Sequence, residues 1–196
     1  MKIFSKKFNN LFPKGAGFTL TELLIAVIIG MLIIMVVSST FLLNQKVFRK
    51  GNIKAELSQN ARIVLDLMSR EIRQANDIVT VLPPDDTDPN LVSHELEFED
   101  GHTTSQIQYL KYLLENGQLK RRIIVYYFDT DPLTYVRWND VDAFGPPTQN
   151  ILEEKIIGEN FSSLDFFGSS NINIVLNLNK NNEQIEMKAV INPRNN

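Results

Sequence analysis

One apolar stretch dominates the N-terminal part of the chain, where no charged side chain occurs from Leu23 to Leu43. About 20 apolar residues are enough to cross a bilayer as an α-helix. A single carboxylate, Glu22, comes directly before this stretch. A charge at the edge of a membrane helix is costly and is usually retained for a function. The pattern therefore predicts a membrane-spanning helix with a functional acid at its start.

The residues before this helix form a distinctive junction. Four lysines and no acidic residue precede Gly17, Phe18 follows it, and Glu22 is the fifth residue counted from Phe18. In this order, the junction resembles the cleavage and methylation segment of type IV prepilins and type II secretion pseudopilins. The resemblance covers the basic leader and the apolar helix.

The resemblance implies a processing route. Residues 1–17 would be a leader that prepilin peptidase removes by cutting between Gly17 and Phe18, and the new amino group of Phe18 would be methylated. Glu22 would then neutralise the N-terminal ammonium of a neighbouring subunit. The implied partners are the peptidase and methyltransferase, other pilin or pseudopilin subunits, an inner-membrane assembly platform and, before assembly, the lipid bilayer.

Charge does not decide the orientation of the helix in the membrane. Basic residues also follow the apolar stretch, at Lys46, Arg49, Lys50 and Lys54, so neither side has a clear excess. The resemblance implies a cytoplasmic N-terminus, a single pass through the bacterial cytoplasmic membrane and a head outside it. Assembly would later place the subunit in a pilus or pseudopilus.

Three other interpretations of the N-terminal segment remain open. A secretory signal could be cut after Ser39, although its apolar core is usually only about 7–15 residues long. A plain single-pass anchor would hold a binding or sensor protein that is never processed and keeps residues 1–17. A secreted enzyme released from its signal is the third alternative, and it would need a catalytic site.

Composition narrows the function classes further. A chain of 196 residues has room for one domain and a membrane element. Loss of the four leader lysines would change the formal net charge from −3 to −7, and such a protein lacks the basic surface that bulk nucleic-acid binding requires. The absence of cysteine excludes disulfides and thiol nucleophiles. We predict neither a nucleic-acid partner nor a cofactor.

The helix is expected to continue beyond the membrane as an amphipathic rod that ends near Asn76 and Asp77. Apolar or small residues recur there at steps of three and four, which indicates one buried helix face; they are Ile53, Leu57, Ala61, Val64, Met68, Ile72 and Ala75. We therefore expect a transmembrane and assembly helix over 18–43, an amphipathic helix over 44–77 and a β-rich head over 78–196.

Alternating apolar residues and turn signals in the head predict an antiparallel sheet. The expected strands cover 78–82, 95–98, 106–114, 118–128, 151–157, 164–167, 172–178 and 184–191, whereas 129–147 is expected to be irregular. Asn116-Gly117 is typical of a hairpin turn. A long helix packed on an antiparallel sheet is an α+β, pilin-like fold.

The head carries a weaker resemblance to one subgroup of the family. Ser58 to Arg62, Met68 to Ile72, Tyr109 to Arg122 and the ending Val190 to Asn195 look like J-type minor pseudopilins and W-type minor pilins. The resemblance implies a minor rather than a major fibre subunit.

No catalytic constellation emerges from the sequence. His94 and His102 are expected to be loop histidines, and no phosphate-binding loop or nucleophile elbow occurs. We predict no catalytic residue, no metal site and no enzymatic activity. Asp129 and Asp131 are weak candidates for calcium, because carboxylate oxygens are its usual ligands, but aspartates are also common turn residues.

Two further groups in the head have simple structural interpretations. The basic residues Lys120, Arg121 and Arg122 are expected to mark a charged strand edge. An aromatic group follows them, and core packing is expected to account for most of it, with an interaction surface as the alternative; its members are Tyr126, Tyr127, Phe128, Tyr135 and Trp138. Phe161, Phe166 and Phe167 are expected in the core.

Overall fold

Helix α1 runs from Leu20 to Arg73 in the computed structural model, which describes residues 17–88, 90–102 and 106–194. The predicted leader lies outside these residues, except for Gly17. Internal contacts divide the chain into two units between Arg49 and Lys50. The unit that begins at Lys50 contains the last part of helix α1 and the strands, and is called the head.

The N-terminal unit consists of the first part of helix α1. Its residues are almost all exposed, and the most apolar window of the helix has a mean hydropathy of 2.8 with 0% of it buried. Among the described residues, this is the one helix that is long and apolar enough to cross a membrane. Neither Gly30 nor Gly51 interrupts the helix.

In the head, helix α1 buries the face that the sequence predicts. Leu57, Ala61, Val64, Met68 and Ile72 are all at most 1% exposed. The helix ends a few residues earlier than expected, at Arg73. Beyond it, the Asn76 amide donates to the carbonyl oxygen of Glu99 at 3.1 Å, so the chain has already turned toward the sheet.

The described part of the head contains eight strands in two antiparallel sheets. They are β1 (Glu95–Glu99), β2 (Tyr109–Glu115), β3 (Gln118–Phe128), β4 (Asp131–Val136), β5 (Thr148–Glu159), β6 (Phe161–Phe167), β7 (Ile172–Lys180) and β8 (Glu183–Ile191). The larger sheet has the order β1-β2-β3-β4 with β5 on the other edge of β3, and the smaller sheet has the order β6-β7-β8. The α+β, pilin-like architecture is therefore confirmed, with two sheets rather than one.

Two strand predictions are wrong. Residues 78–82 form no strand, and only Ile78 makes an isolated bridge, to Phe98. Conversely, the region expected to be irregular contains β4, which begins at Asp131 despite Pro132. Proline is tolerated there because β4 lies at a sheet edge and pairs only with the last residues of β3.

The prediction that Lys120, Arg121 and Arg122 mark a strand edge is also wrong. They lie in β3, which is the central strand and pairs with both β2 and β5. Each cation has an acidic partner on a neighbouring element: Lys120 and Arg122 contact Glu115 and Glu154, and Arg121 contacts Glu71 of helix α1.

One hydrophobic core joins the head portion of helix α1 to both sheets. From the helix, it contains the buried face described above; from the sheets, it contains among others Leu96, Tyr112, Phe161, Phe166 and Leu176. The predicted burial of Phe161 and Phe166 is confirmed at 3% and 0% exposure, whereas Phe167 is only partly buried and lies outside this core. The predicted Asn116-Gly117 hairpin turn is present, with positive φ at both residues, and the turn between β7 and β8 also has positive φ at Asn181 and Asn182.

Candidate processing and assembly site

The segment from Gly17 to Thr19 precedes helix α1 and is not helical. All three residues are exposed, and the Phe18 side chain is 85% exposed. A Cβ atom added to Gly17 would meet no described atom within 4 Å. Packing within the described chain therefore does not require glycine at this position.

Thr19 and Glu22 cap the N-terminus of helix α1 through reciprocal hydrogen bonds. The Thr19 amide donates to Glu22 Oε2 at 2.9 Å, and the Glu22 amide donates to Thr19 Oγ1 at 3.3 Å. The Thr19 hydroxyl also donates to Glu22 Oε2 at 2.9 Å. This reciprocal arrangement is a capping box, which satisfies amide groups that have no partner within the helix.

Thr19 is the residue of this site that the sequence analysis missed. The signal for it is the run Thr19-Leu20-Thr21-Glu22, because threonine followed three residues later by glutamate is the sequence signature of a capping box. Glu22 thus has a local partner in Thr19. The carboxylate is therefore oriented by the first turn of its own helix.

Glu22 retains a free acceptor in this arrangement. Its Oε2 atom accepts both bonds from Thr19, whereas Oε1 takes part in no hydrogen bond within residues 17–194 that the structure describes. Large apolar side chains follow at once, and those of Leu23, Leu24 and Ile25 are each more than half exposed. The N-terminal unit thus combines an available carboxylate oxygen with an apolar helix surface that no described residue of that unit covers.

The candidate metal and histidine residues of the head do not form a site. No group of three or more His, Asp or Glu side chains that could hold a metal ion occurs among the described residues. Asp129 accepts a hydrogen bond from the Thr148 hydroxyl at 3.0 Å, and Asp131 lies exposed at the start of β4. His94 and His102 each contact one aspartate, Asp165 and Asp100 respectively.

Polar contacts hold much of the aromatic group in place. The Tyr126 hydroxyl donates to Glu97 Oε1 at 2.6 Å, and the Tyr109 hydroxyl accepts a bond from the Trp138 amide at 3.1 Å. Burial raises the pKa of Tyr109 to about 12, because the phenolate would be poorly solvated. Tyr126 packs edge-on against Tyr109, with ring centroids 5.2 Å apart. Of the predicted aromatic group, Tyr126, Tyr127, Phe128 and Tyr135 are half-buried and Trp138 is exposed, and none belongs to the hydrophobic core. The prediction that core packing accounts for most of this group is therefore wrong.

Comparison with known families agrees with this N-terminal geometry. A family model described as the prokaryotic N-terminal methylation motif matches residues 13–38, which include Gly17, Phe18 and Glu22. The match supports the type IV prepilin-like and pseudopilin family, as the junction predicts. That family is structural rather than catalytic. No curated protein and no solved structure matches the chain.

Proposed function

We propose that the chain is a minor pilin or pseudopilin, a structural subunit of a type IV pilus-like or type II secretion fibre. The observation that carries the proposal is the N-terminal methylation motif over residues 13–38. The long apolar helix and the β-rich head supply the stem and the globular part that such a subunit needs. The minor role rests on the resemblance of the head to J-type and W-type subunits.

The proposed processing step is cleavage between Gly17 and Phe18, followed by methylation of the Phe18 amine. The exposed, non-helical segment from Gly17 to Thr19 supports it, because a peptidase must bind extended chain. Gly17 supports it too. Since a Cβ atom at Gly17 would meet no described atom, packing does not explain the glycine, and selection for recognition by the peptidase is the reason we propose for it.

In the proposed assembly step, Glu22 pairs with the methylated ammonium of a neighbouring subunit. The Oε1 atom is the available acceptor, while Thr19 holds Oε2. An unpaired carboxylate is costly in the apolar core of a fibre, whereas a paired one recovers much of that cost. The pair would therefore select the register between subunits more than it adds net stability.

The apolar stretch serves both stages of this proposal. Before assembly, it spans the cytoplasmic membrane, with the N-terminus inside the cell and the head outside. During assembly, on an inner-membrane platform, the same surface packs against the helices of other subunits. The exposure of nearly every side chain from Leu23 to Leu43 is what both environments require.

The test is the intact mass and N-terminal sequence of the full chain, expressed with and without a prepilin peptidase. We expect a product that begins at Phe18 and carries one added methyl group, and only when the peptidase is present. The second candidate function is a single-pass anchored binding or sensor protein. A start at Met1 in both samples would favour it and would contradict the fibre proposal.

A further inference from the structure

An open cavity lies at the end of the large sheet where β3 passes into β4. It has a volume of about 320 Å³ and is bounded by the end of β3, the β3–β4 turn, the loop before β5 and the first residue of β5. We call it the β3–β4 cavity. Its size is at the lower end of the range for small-molecule pockets, about 300–1,000 Å³, so it suits one side chain better than a cofactor.

The walls of the β3–β4 cavity are partly apolar. Phe128, Phe144 and Pro146 contribute to them, and the Phe144 side chain is 85% exposed. Two further apolar residues of this region, Leu133 and Val141, are 87% and 73% exposed. Several large apolar side chains exposed in one region of a folded domain are typical of an interaction site.

The other walls are acidic. Asp129 and Asp142 line the cavity, and none of the ion pairs within the described residues involves either of them. Their hydrogen bonds use one oxygen each: Asp142 Oδ1 accepts from the Phe144 and Gly145 amides, and Asp129 Oδ1 accepts from Thr148. Both Oδ2 atoms remain available to a cation.

The chain segment around the cavity is also predominantly acidic. Residues 129–148 contain four aspartates and a single basic residue, Arg137. Arg137 approaches Glu99 at 4.0 Å rather than either cavity aspartate. Elsewhere in the large sheet, the acidic residues Glu115 and Glu154 are paired with Lys120 and Arg122. The β3–β4 cavity is therefore an acidic surface without its own counter-charges.

We propose that the β3–β4 cavity binds an arginine side chain presented by an extended segment of a partner protein. A guanidinium group can bond to carboxylate oxygens and also lie against an aromatic ring. Its aliphatic stem would pack on Phe144 and Pro146. Arginine fits better than lysine because its planar cation can lie on an aromatic ring such as that of Phe144 while it bonds to a carboxylate. The proposal concerns the head alone and does not depend on cleavage of the leader.

The test measures binding to the full chain in neutral detergent micelles. The probe is a dye-labelled peptide, Ser-Gly-Leu-Arg-Arg-Leu-Gly-Ser, and the matched control peptide has glutamine in place of both arginines. Fluorescence anisotropy gives the Kd, with empty micelles as the blank. We expect saturable binding of the arginine peptide that weakens as salt is added, since exposed charges are screened, and no saturable binding of the glutamine peptide.

Variants locate the binding surface. Asp129→Asn and Asp142→Asn retain the oxygens that accept the local hydrogen bonds but remove the charge, and each should raise the Kd about fivefold, the upper end for an exposed pair. Phe144→Ser should also raise it. Asp86→Asn and Val81→Ser are the matched controls, because both residues are exposed in a different loop, and they should leave the Kd unchanged.

Several results would overturn the proposal. Absence of saturable binding would do so, as would equal affinity for the two peptides or a Kd that none of the cavity variants changes. Competition by calcium chloride at concentrations below the peptide Kd would assign the cavity to a metal ion instead.

Discussion

Thr19 and Glu22 form a reciprocal capping box at the start of helix α1, with the Thr19 amide 2.9 Å from Glu22 Oε2 and the Glu22 amide 3.3 Å from Thr19 Oγ1. Glu22 therefore has a local structural role in addition to its proposed role between subunits. The two roles use different properties of the side chain. Capping needs an acceptor oxygen, whereas pairing with an ammonium needs the negative charge.

The first prediction separates these two roles. Glu22→Gln retains an oxygen that can complete the capping box but loses the charge, so we expect normal membrane insertion and cleavage with little incorporation into fibres. Thr19→Val retains the charge and removes the cap, at a cost of about 1 kcal/mol to the first turn. We expect this variant to be incorporated. Fibre fractions sheared from cells and probed for the subunit give the measurement.

Glu22→Ala and Glu22→Val serve as the controls for that experiment, because they remove both the charge and the cap. They should be inserted and processed like the wild type and should also fail to assemble. Efficient assembly of Glu22→Gln would show that the charge is not needed and would refute the pairing.

The second prediction concerns Gly17. The Cβ atom of a Gly17→Leu substitution would meet no described atom within 4 Å, and the position is exposed, so the substitution should leave folding and membrane insertion unchanged. It should nevertheless block processing, since the peptidase would have to accept a bulky side chain next to the cut bond. Gly51→Ala is the matched control, because its Cβ also meets open space. Mass spectrometry would show an unprocessed Gly17→Leu chain and a processed Gly51→Ala chain; a mature product from Gly17→Leu contradicts the prediction.

The helix and most strands could be predicted because their signals are local. The apolar steps of three and four from Leu57 to Ile72 mark a face that the structure buries. The Asn116-Gly117 turn sets the register of β2 and β3, with Glu115 opposite Gln118. Such features depend on neighbouring residues, and a single sequence contains them.

Features that depend on distant partners could not be predicted in the same way. No local pattern in the sequence indicates that β3 lies between β2 and β5. Lys120 and Arg122 could therefore be mistaken for residues of an edge strand. The strand β4 contains Pro132 and depends on pairing with Tyr126 and Tyr127. Local strand propensity gives no information about that pairing. The division into two sheets is likewise a consequence of tertiary packing.

The same distinction between local signals and distant contacts applies to the N-terminal site and the β3–β4 cavity. The spacing of Gly17, Phe18 and Glu22 is visible in the sequence, and the family comparison covers all three. The capping partner Thr19 was also visible as a threonine three residues before a glutamate. The β3–β4 cavity was not, because it joins Asp129 to Asp142 through a strand pairing that the sequence analysis did not predict.

The third prediction concerns the attachment of helix α1 to the large sheet within the head. Arg121 Nε lies 3.0 Å from Glu71 Oε2, and the hydroxyl of the fully buried Tyr112 donates to the same carboxylate. Arg121→Leu would leave that carboxylate without its cation in a site only 13% exposed. We expect a loss of about 2 kcal/mol in the free energy of unfolding, measured by urea denaturation of the full chain in micelles.

Arg70→Leu is the matched control for Arg121→Leu. Arg70 also pairs with a carboxylate, that of Asp66, but both side chains are about two-thirds exposed. Exposed pairs of this kind contribute about 0.5 kcal/mol or less. Equal effects of the two substitutions would contradict the importance of the Glu71–Arg121 contact.

The fourth prediction is a pH dependence at the β7–β8 turn. Glu183 contacts Lys50 at 3.0 Å and Lys54 at 3.3 Å. The hydrogen bond from Lys50, followed by the contact with Lys54, holds the pKa of Glu183 below its ordinary value of 4.5, against the opposing effect of burial. Since the unfolded chain then binds this proton more readily, the contact stabilises the head above about pH 4.5 and is lost as the pH falls through the lower folded value.

Glu183→Gln isolates this contribution. At pH 7 the variant should unfold at a lower urea concentration than the wild type. The difference should shrink as the pH falls from 4.5, the ordinary value for this carboxyl group, through the lower folded pKa, below which the wild-type side chain is neutral as well. Glu153→Gln, at an exposed position of β5, should show no such pH-dependent difference. A wild-type advantage over Glu183→Gln that stays constant down to pH 3 would mean that packing of Glu183, rather than its charge, stabilises the turn.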